Sequence, residues 1–116
     1  MDSIKRAQTN RLIATRSDSA SFPLTITRMD GTVFFPDAEE GEKVTFTVRK
    51  GPKTEENSVL IQKNVTGTRI ELEPEDTREM EYGSYMFDVE VVWMENNELE
   101  TTTLIIGQFC VMPEVT

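Results

Sequence analysis

The sequence predicts an all-β fold, an antiparallel β-sandwich of roughly seven to nine short strands, and three observations support this prediction. One segment alternates strictly between the two faces of a strand, which is typical of a half-buried strand in an antiparallel sheet. Turn signals recur at intervals of roughly 8–12 residues along the chain. No segment has sustained helical periodicity. The residues on the apolar side of the alternating segment are Tyr85, Phe87, Val89, Val91 and Trp93.

A short helical corner is predicted near residues 73–80, immediately before the alternating strand. Pro74 presets the backbone for the first turn of a helix, and Asp76 can accept hydrogen bonds from the free N–H groups there. Gly83 then permits a sharp turn into the strand. Immunoglobulin-type sandwiches have such a corner before a central strand, where a tyrosine hydroxyl ties it down. Tyr82 and Tyr85 are the candidates, and the predicted fold is an immunoglobulin-like Greek-key sandwich.

The remaining strands are predicted from alternating runs between turns. Asp30-Gly31 is a hairpin signal, because that turn needs the positive φ that glycine tolerates. Gly107 interrupts the last apolar run and indicates a bulge or bend. The predicted strands are Arg11–Thr15, Phe22–Met29, Thr32–Phe35, Lys43–Arg49, Ser58–Val65, Arg69–Leu72, Leu99–Ile106 and Gln108–Met112.

The 116 residues predict one sandwich domain over residues 21–116, preceded by an arm of residues 1–20 that includes the possible edge strand at 11–15. The net charge of −9 argues against nucleic acid as a partner, since phosphate binding needs a basic surface. The arm itself carries four basic and two acidic side chains. It either docks on an acidic surface through Arg6, Arg11 and Arg16 or is a solvated terminus.

Composition also bears on compartment and chemistry. No apolar run approaches the roughly 20 residues that a membrane span requires, and the start lacks the apolar centre of a secretory signal, which favours the cytoplasm. The chain contains no histidine, so histidine-based catalytic and zinc arrangements are excluded. Cys110 has no cation beside it in sequence and is interpreted as a small buried residue. We therefore expect no enzyme activity, no cofactor, no metal site and no small-molecule substrate. The acidic turn with Asp37, Glu39, Glu40 and Glu42 offers the oxygen ligands that calcium prefers but lacks the spacing of a calcium-binding loop, so calcium remains an alternative there.

The aromatic residues leave two interpretations open. Phe34 and Phe35 are adjacent in a predicted strand and cannot both face inward, so one of them is an exposed apolar contact. Such a contact favours protein–protein recognition, and a homo-oligomer is expected. The alternative is a small carbohydrate-binding module that uses exposed Tyr85 or Trp93 as a stacking platform. Burial of those two side chains would argue against that module.

Five stretches taken in order resemble small phage and prophage proteins of Gram-positive bacteria, in particular the immunoglobulin-like N-terminal domain of baseplate upper proteins. The stretches are Arg16–Ile26, Gly41–Lys50, Ile70–Thr77, Tyr82–Val91 and Thr103–Thr116. The resemblance implies a non-catalytic structural role in a tail or baseplate, through contacts with other phage structural proteins. It also implies a protein that is cytoplasmic in the bacterial host before assembly and then a virion component. Ser17 stands where that family usually has glycine.

Overall fold

The structure is a computed structural model that describes residues 4–5, 11–50 and 59–114. Most of these residues are in strands, which confirms the all-β class. The strands are β1 (Ile4–Lys5), β2 (Arg11–Thr15), β3 (Ala20–Pro23), β4 (Thr27–Arg28), β5 (Lys43–Arg49), β6 (Val59–Asn64), β7 (Arg69–Leu72), β8 (Gly83–Glu95) and β9 (Glu98–Met112). One short helix, α1 (Pro74–Thr77), and a 3₁₀ turn at Ala38–Glu40 complete the described elements. No helix in these ranges is long and apolar enough to cross a membrane.

The largest sheet has five strands in the order β2-β9-β8-β5-β6. Its four neighbouring pairs include one parallel pair, since β2 runs parallel to β9 while the others are antiparallel. The sheet is therefore mixed, and the prediction of a purely antiparallel sheet is wrong at this edge. A parallel pair cannot be joined by a tight turn. Here almost the whole domain lies between the two strands, so no local pattern in the sequence reveals the pairing.

Two smaller ladders accompany this sheet, β3 with β7 and β1 with β4. The β3–β7 pair contributes Phe22, whose ring packs edge-on against Phe109 of β9 at a centroid distance of 6.5 Å. Phe109 also contacts Phe46 of β5 at 6.2 Å. These aromatic contacts connect the β3–β7 pair to the large sheet, and the hydrophobic core lies between the pair and the sheet. Its fully buried aromatic and aliphatic side chains include Phe46, Phe87, Phe109, Val44, Val48, Val89, Val91 and Val111.

The predicted helical corner is confirmed at α1. Pro74 occupies the first helical position, and Asp76 Oδ2 accepts a hydrogen bond of 2.7 Å from the Glu73 N–H. Tyr85 is the tyrosine that ties the corner, because its hydroxyl donates to the Glu81 carbonyl at 2.6 Å. Tyr82 is instead half exposed on the surface. The connection into β8 is therefore held by a side chain of β8 itself.

Replacing Tyr85 with phenylalanine removes only this hydroxyl. We expect Y85F to lower the free energy of unfolding by about 1 kcal/mol, because the Glu81 carbonyl loses its donor. Chemical denaturation followed by circular dichroism measures the change. Tyr82→Phe is the matched control and should leave stability unchanged. Equal stabilities for the two variants would contradict the role of Tyr85 in the corner.

Local predictions for two other segments need correction. The predicted strand Phe22–Met29 is divided into β3, which ends at Pro23, and β4, which begins at Thr27. Between them the chain changes its pairing partner: the Leu24 N–H still donates to the Thr68 carbonyl at 2.8 Å, whereas the Ile26 carbonyl accepts from the Phe34 N–H at 2.7 Å. The bulge predicted at Gly107 lies at Leu104 instead, since Val89 pairs with Ile105 and Glu90 with Thr103. The extra residue there allows Leu104 and Ile105 both to be buried. Packing, and not glycine, determines its position.

Asp30-Gly31 does form a hairpin turn, with Gly31 at φ 92°. The Gly31 N–H donates to the Arg28 carbonyl at 2.9 Å and the Arg28 N–H to the Thr32 carbonyl at 2.8 Å. This pattern is typical of a three-residue loop that ends in a glycine bulge. The strand predicted after it, Thr32–Phe35, is reduced to a single bridge between Val33 and Thr27.

Ser17 adopts the left-handed conformation, with φ 65°. Its N–H donates to Thr77 Oγ1 at 2.8 Å, which connects the end of β2 to the buried threonine of α1. A non-glycine residue in this conformation is strained by about 1–2 kcal/mol. We expect Ser17→Gly to raise the free energy of unfolding by about 0.5–1 kcal/mol after the entropy of glycine is deducted. Ser19→Gly, at a position of ordinary φ, should not stabilise; equal gains at both positions would contradict the strain.

Candidate functional site on the outer face of the large sheet

An exposed apolar patch lies on the outer face of the large sheet, opposite the core. We call it the outer patch and define it as Ile13, Met86, Ile106 and Met112. These four side chains are 46–61% exposed. Each is paired in register with an outward residue of the adjoining strand: Cys110 for Ile13, Gln108 for Met86, Asp88 for Ile106 and Thr15 for Met112. Clustered exposed apolar side chains of this kind mark contact sites in soluble proteins.

The outer patch results from alternation in three neighbouring strands. In β8, Tyr85 and Phe87 face the core, so Met86 between them faces outward. In β9, the extra residue at Leu104 reverses the alternation, so that Ile106 and the residues at every second position after it face outward. In β2, Leu12 and Ala14 are buried and Ile13 is exposed. The sequence did not reveal the patch because the bulge and the β2 pairing both depend on distant residues.

Cys110 lies on this outer face beneath the patch and is almost fully buried. Its thiol is 3.5 Å from Ser84 Oγ. This hydrogen bond, followed by a hydrogen bond from Arg11 and its positive charge, lowers the pKa of the Cys110 thiol, while burial opposes the shift. Cys110 is buried, as predicted. No cation is adjacent to it in sequence, but strand pairing brings Arg11 to it from the other end of the chain.

Arg11 stabilises the thiolate of Cys110, so its removal should raise the pKa of the thiol. We expect Arg11→Gln to shift the thiolate titration to higher pH, measured by ultraviolet absorbance of the thiolate. Arg16→Gln is the control with the same charge change, since Arg16 does not contribute to this pKa. A titration that is identical in Arg11→Gln and the unmodified chain would contradict the contact.

A polar groove adjoins the outer patch on the same face. It has a volume of about 170 Å³ and is lined by Lys43, Thr45, Thr47, Arg49, Gln62, Asn64, Asp88 and Glu90. Arg49 Nε is 3.3 Å from Asp88 Oδ2, and both side chains are mostly buried. Gln62 Nε2 donates to Thr47 Oγ1 at 3.4 Å. The four residues of the outer patch thus lie on β2, β9 and β8, and the polar groove lies on β8, β5 and β6.

The predicted contact residues lie in different places. Arg6 is outside the described residues. Arg11 is exposed on β2 beside the outer patch, whereas Arg16 forms an ion pair with Glu114 at 3.0 Å and lies 4.3 Å from the centre of the Tyr82 ring. The charge of Arg16 is therefore used within its own chain.

The two adjacent phenylalanines differ as predicted. Phe34 is buried, and the Arg28 guanidinium lies 5.0 Å from the centre of its ring. Phe35 is 53% exposed and is the exposed member of the pair. An exposed phenylalanine was thus predicted from the adjacency of the pair, whereas the four residues of the outer patch were not predicted.

Comparison with known proteins adds no relative: no protein-family model, no curated protein and no solved structure matches the chain. In residues 11–50 and 59–114, no group of three or more Asp, Glu or Cys side chains is arranged to hold a metal ion. What the geometry defines is a mostly β protein with a curled, mixed five-stranded sheet that has four half-exposed apolar side chains on its outer face.

Proposed function

We propose that the chain is a non-catalytic structural protein of a phage or prophage tail or baseplate, which acts through protein–protein contacts made by the outer patch. The observation that carries the proposal is the patch itself, because its four apolar side chains are left half exposed on one face of the large sheet. Apolar residues of this size, methionine among them, form the buried centre of protein interfaces. The partners are other phage structural proteins. The chain is cytoplasmic in the host before assembly and is then a virion component.

Three features support the immunoglobulin-like Greek-key arrangement that accompanies this proposal. The chain crosses between the large sheet and the β3–β7 pair several times, from β2 to β3, from β3 to β5, from β6 to β7 and from β7 to β8. The Phe22–Phe109 contact joins the two layers. The Tyr85 hydroxyl bonds to the backbone four residues upstream, as in the tyrosine corner of such sandwiches.

Association with phage particles tests the proposed function. Particles released from the source bacterium after prophage induction are purified on a density gradient and probed with an antibody against this chain. We expect the chain to co-sediment with intact particles and the antibody to label the tail. Its recovery only in the soluble fraction, with no label on particles, would overturn the proposal.

A pair of variants links that association to the outer patch. Ile106→Lys places a charge in the patch, and we expect the chain to be lost from particles. Thr101→Lys is the matched control, because Thr101 is an exposed outward residue farther along the same strand, paired with Val92. If both variants remain on the particles, the outer patch is not the contact.

The polar groove favours one second candidate, a ligand-binding module for cell-wall sugars. An aromatic platform no longer supports it, since Trp93 is buried and the Tyr85 hydroxyl is engaged at the corner. The polar and charged side chains that line the groove offer a sugar hydrogen bonds but no aromatic ring to stack on. Titration with N-acetylglucosamine, followed by amide NMR shifts at Gln62 and Asn64, distinguishes the two. Saturable shifts at both residues would favour the module.

A further inference from the structure

Strand β2 forms one edge of the large sheet. Among the described residues, β2 pairs only with β9, so its other edge has no strand beside it. The Arg16 N–H donates to the Met112 carbonyl, so the backbone groups of Arg16 point toward β9. Along a strand, the N–H and C=O of successive residues point alternately to its two edges. Arg11, Ile13 and Thr15 therefore direct their N–H and C=O groups to the free edge. Of these groups, the Thr15 carbonyl already accepts a hydrogen bond from Asp18.

The opposite edge of the sheet is different. In β6, Val48 pairs with Ile61 and Arg49 with Val59, so Leu60 is an extra residue that distorts the edge. Lys63 in the same strand reaches Asp76 of α1 at 2.9 Å, which directs a charge toward the interior side. Bulges and inward charges are the features that keep edge strands from pairing with other chains. The described residues of β2 contain neither, nor a proline.

The five residues of β2 are also self-complementary. When two copies of β2 run antiparallel about a two-fold axis at Ile13, the two Ile13 residues lie opposite each other. On the core side Leu12 lies opposite Ala14, a large residue against a small one. On the outer side Arg11 lies opposite Thr15, so the two arginines do not meet, and no pair joins like charges.

We propose that a second copy of this chain pairs with β2 in this register and extends the two large sheets into one ten-stranded sheet. Pairing about Ile13 uses the backbone groups of Arg11 and Ile13 and the Thr15 N–H, none of which is bonded by a described residue at this edge, as in strand addition to an exposed edge. The Thr15 carbonyl, which already accepts from Asp18, has a second lone pair for the Arg11 N–H of the second copy. The two-fold axis stands perpendicular to the sheet, so both outer patches face the same side and adjoin. This inference rests on the proposed function, because the joined patches form the larger contact surface that a structural assembly needs.

Light scattering over a concentration series up to about 1 mM tests the dimer, since pairing of so few residues is expected to be weak. The mass should rise from 13.2 kDa toward twice that value. We expect Ile13→Lys, which places two like charges opposite each other, to weaken association at least about tenfold. Gln62→Lys is the matched control, an exposed outward residue at the other edge, and should dimerise normally. Thermal unfolding by circular dichroism checks that both variants fold.

Disulfide trapping tests the register itself. In a Cys110→Ala background, which removes a thiol beside Ile13, Ile13→Cys places two thiols across the axis at a Cα separation of about 5.5 Å, within the range for a disulfide. Mild oxidation should give a covalent dimer from Ile13→Cys and none from Gln62→Cys at the other edge. Absence of the covalent dimer together with a monomer at all concentrations would overturn the proposal.

Two other outcomes also overturn it. If the dimer survives Ile13→Lys but is lost when residues 1–10 are removed, the terminal arm and not the β2 edge joins the copies. Strong weakening of the dimer by salt would likewise indicate that the basic arm of one copy binds an acidic surface of the other. The proposed β2 contact contains no ion pair, so salt should have little effect on it. A chain that remains monomeric yet is found on phage particles refutes the dimer alone. A dimer absent from particles refutes the proposed tail function alone.

Discussion

Phe109→Ala is expected to lower the free energy of unfolding by about 3–5 kcal/mol, which is the range for truncating a fully buried phenylalanine. Phe109 has no exposed surface and contacts an aromatic ring in each layer, Phe22 of β3 and Phe46 of β5. Its loss leaves a cavity between the layers, where both rings lose contact atoms. A small domain has only about 5–15 kcal/mol of stability in total. The variant should therefore lose a large part of the stability of the domain.

Urea denaturation followed by tryptophan fluorescence measures this change. Phe35→Ala is the matched control, because Phe35 is half exposed, and it should change stability by no more than about 0.5 kcal/mol. Phe109→Leu retains most of the volume and should cost about 1–1.5 kcal/mol. Similar stabilities for Phe109→Ala and Phe35→Ala would contradict the position of Phe109 in the core.

The sequence predicted those parts of the fold that depend on near neighbours. The core face of β8 follows from strict alternation, because successive side chains of a strand point to opposite faces. The corner at α1 follows from Pro74 and Asp76, which act within one helical turn, and Tyr85 bonds only four residues back. The exposed Phe35 follows from adjacency to Phe34. Each of these features is local, so one stretch of residues contains all its causes.

The candidate site could not be predicted because its causes are distant in the chain. The outer patch requires β2 to lie beside β9, a pairing between residues 11–15 and 108–112. It also requires the extra residue at Leu104, whose burial depends on the opposing layer and not on a local glycine signal. The contact of Arg11 with Cys110 has the same origin. Long-range pairing, the main component of this fold, leaves little mark on the local sequence.

Removing one partner of the Arg49–Asp88 ion pair is expected to lower the free energy of unfolding much more than replacing both partners. Both side chains are mostly buried, at 14% and 11% exposure, so removing one partner leaves the other charge without its counterion. We expect Asp88→Leu alone to cost about 2–3 kcal/mol, somewhat below the value for a fully buried pair. The double variant Arg49→Met with Asp88→Leu should be within about 1 kcal/mol of the unmodified chain.

Urea denaturation of the four chains of the cycle gives the coupling between the two positions. Glu114→Gln is the control for an exposed pair, since Arg16 and Glu114 are 31% and 42% exposed, and should cost no more than about 1 kcal/mol. If the double variant lost as much free energy of unfolding as the two single variants together, the two side chains would not be coupled.

If the double variant is as stable as expected, the ion pair serves a purpose other than stability. Asp88 pairs in register with Ile106, so the ion pair lies at the border between the outer patch and the polar groove. Replacing it with leucine and methionine extends the apolar surface across β8 and β5. We therefore expect the double variant to fold normally but to form aggregates without defined mass in light scattering. A double variant that remains as monodisperse as the unmodified chain would show that the polar border does not limit the contact surface.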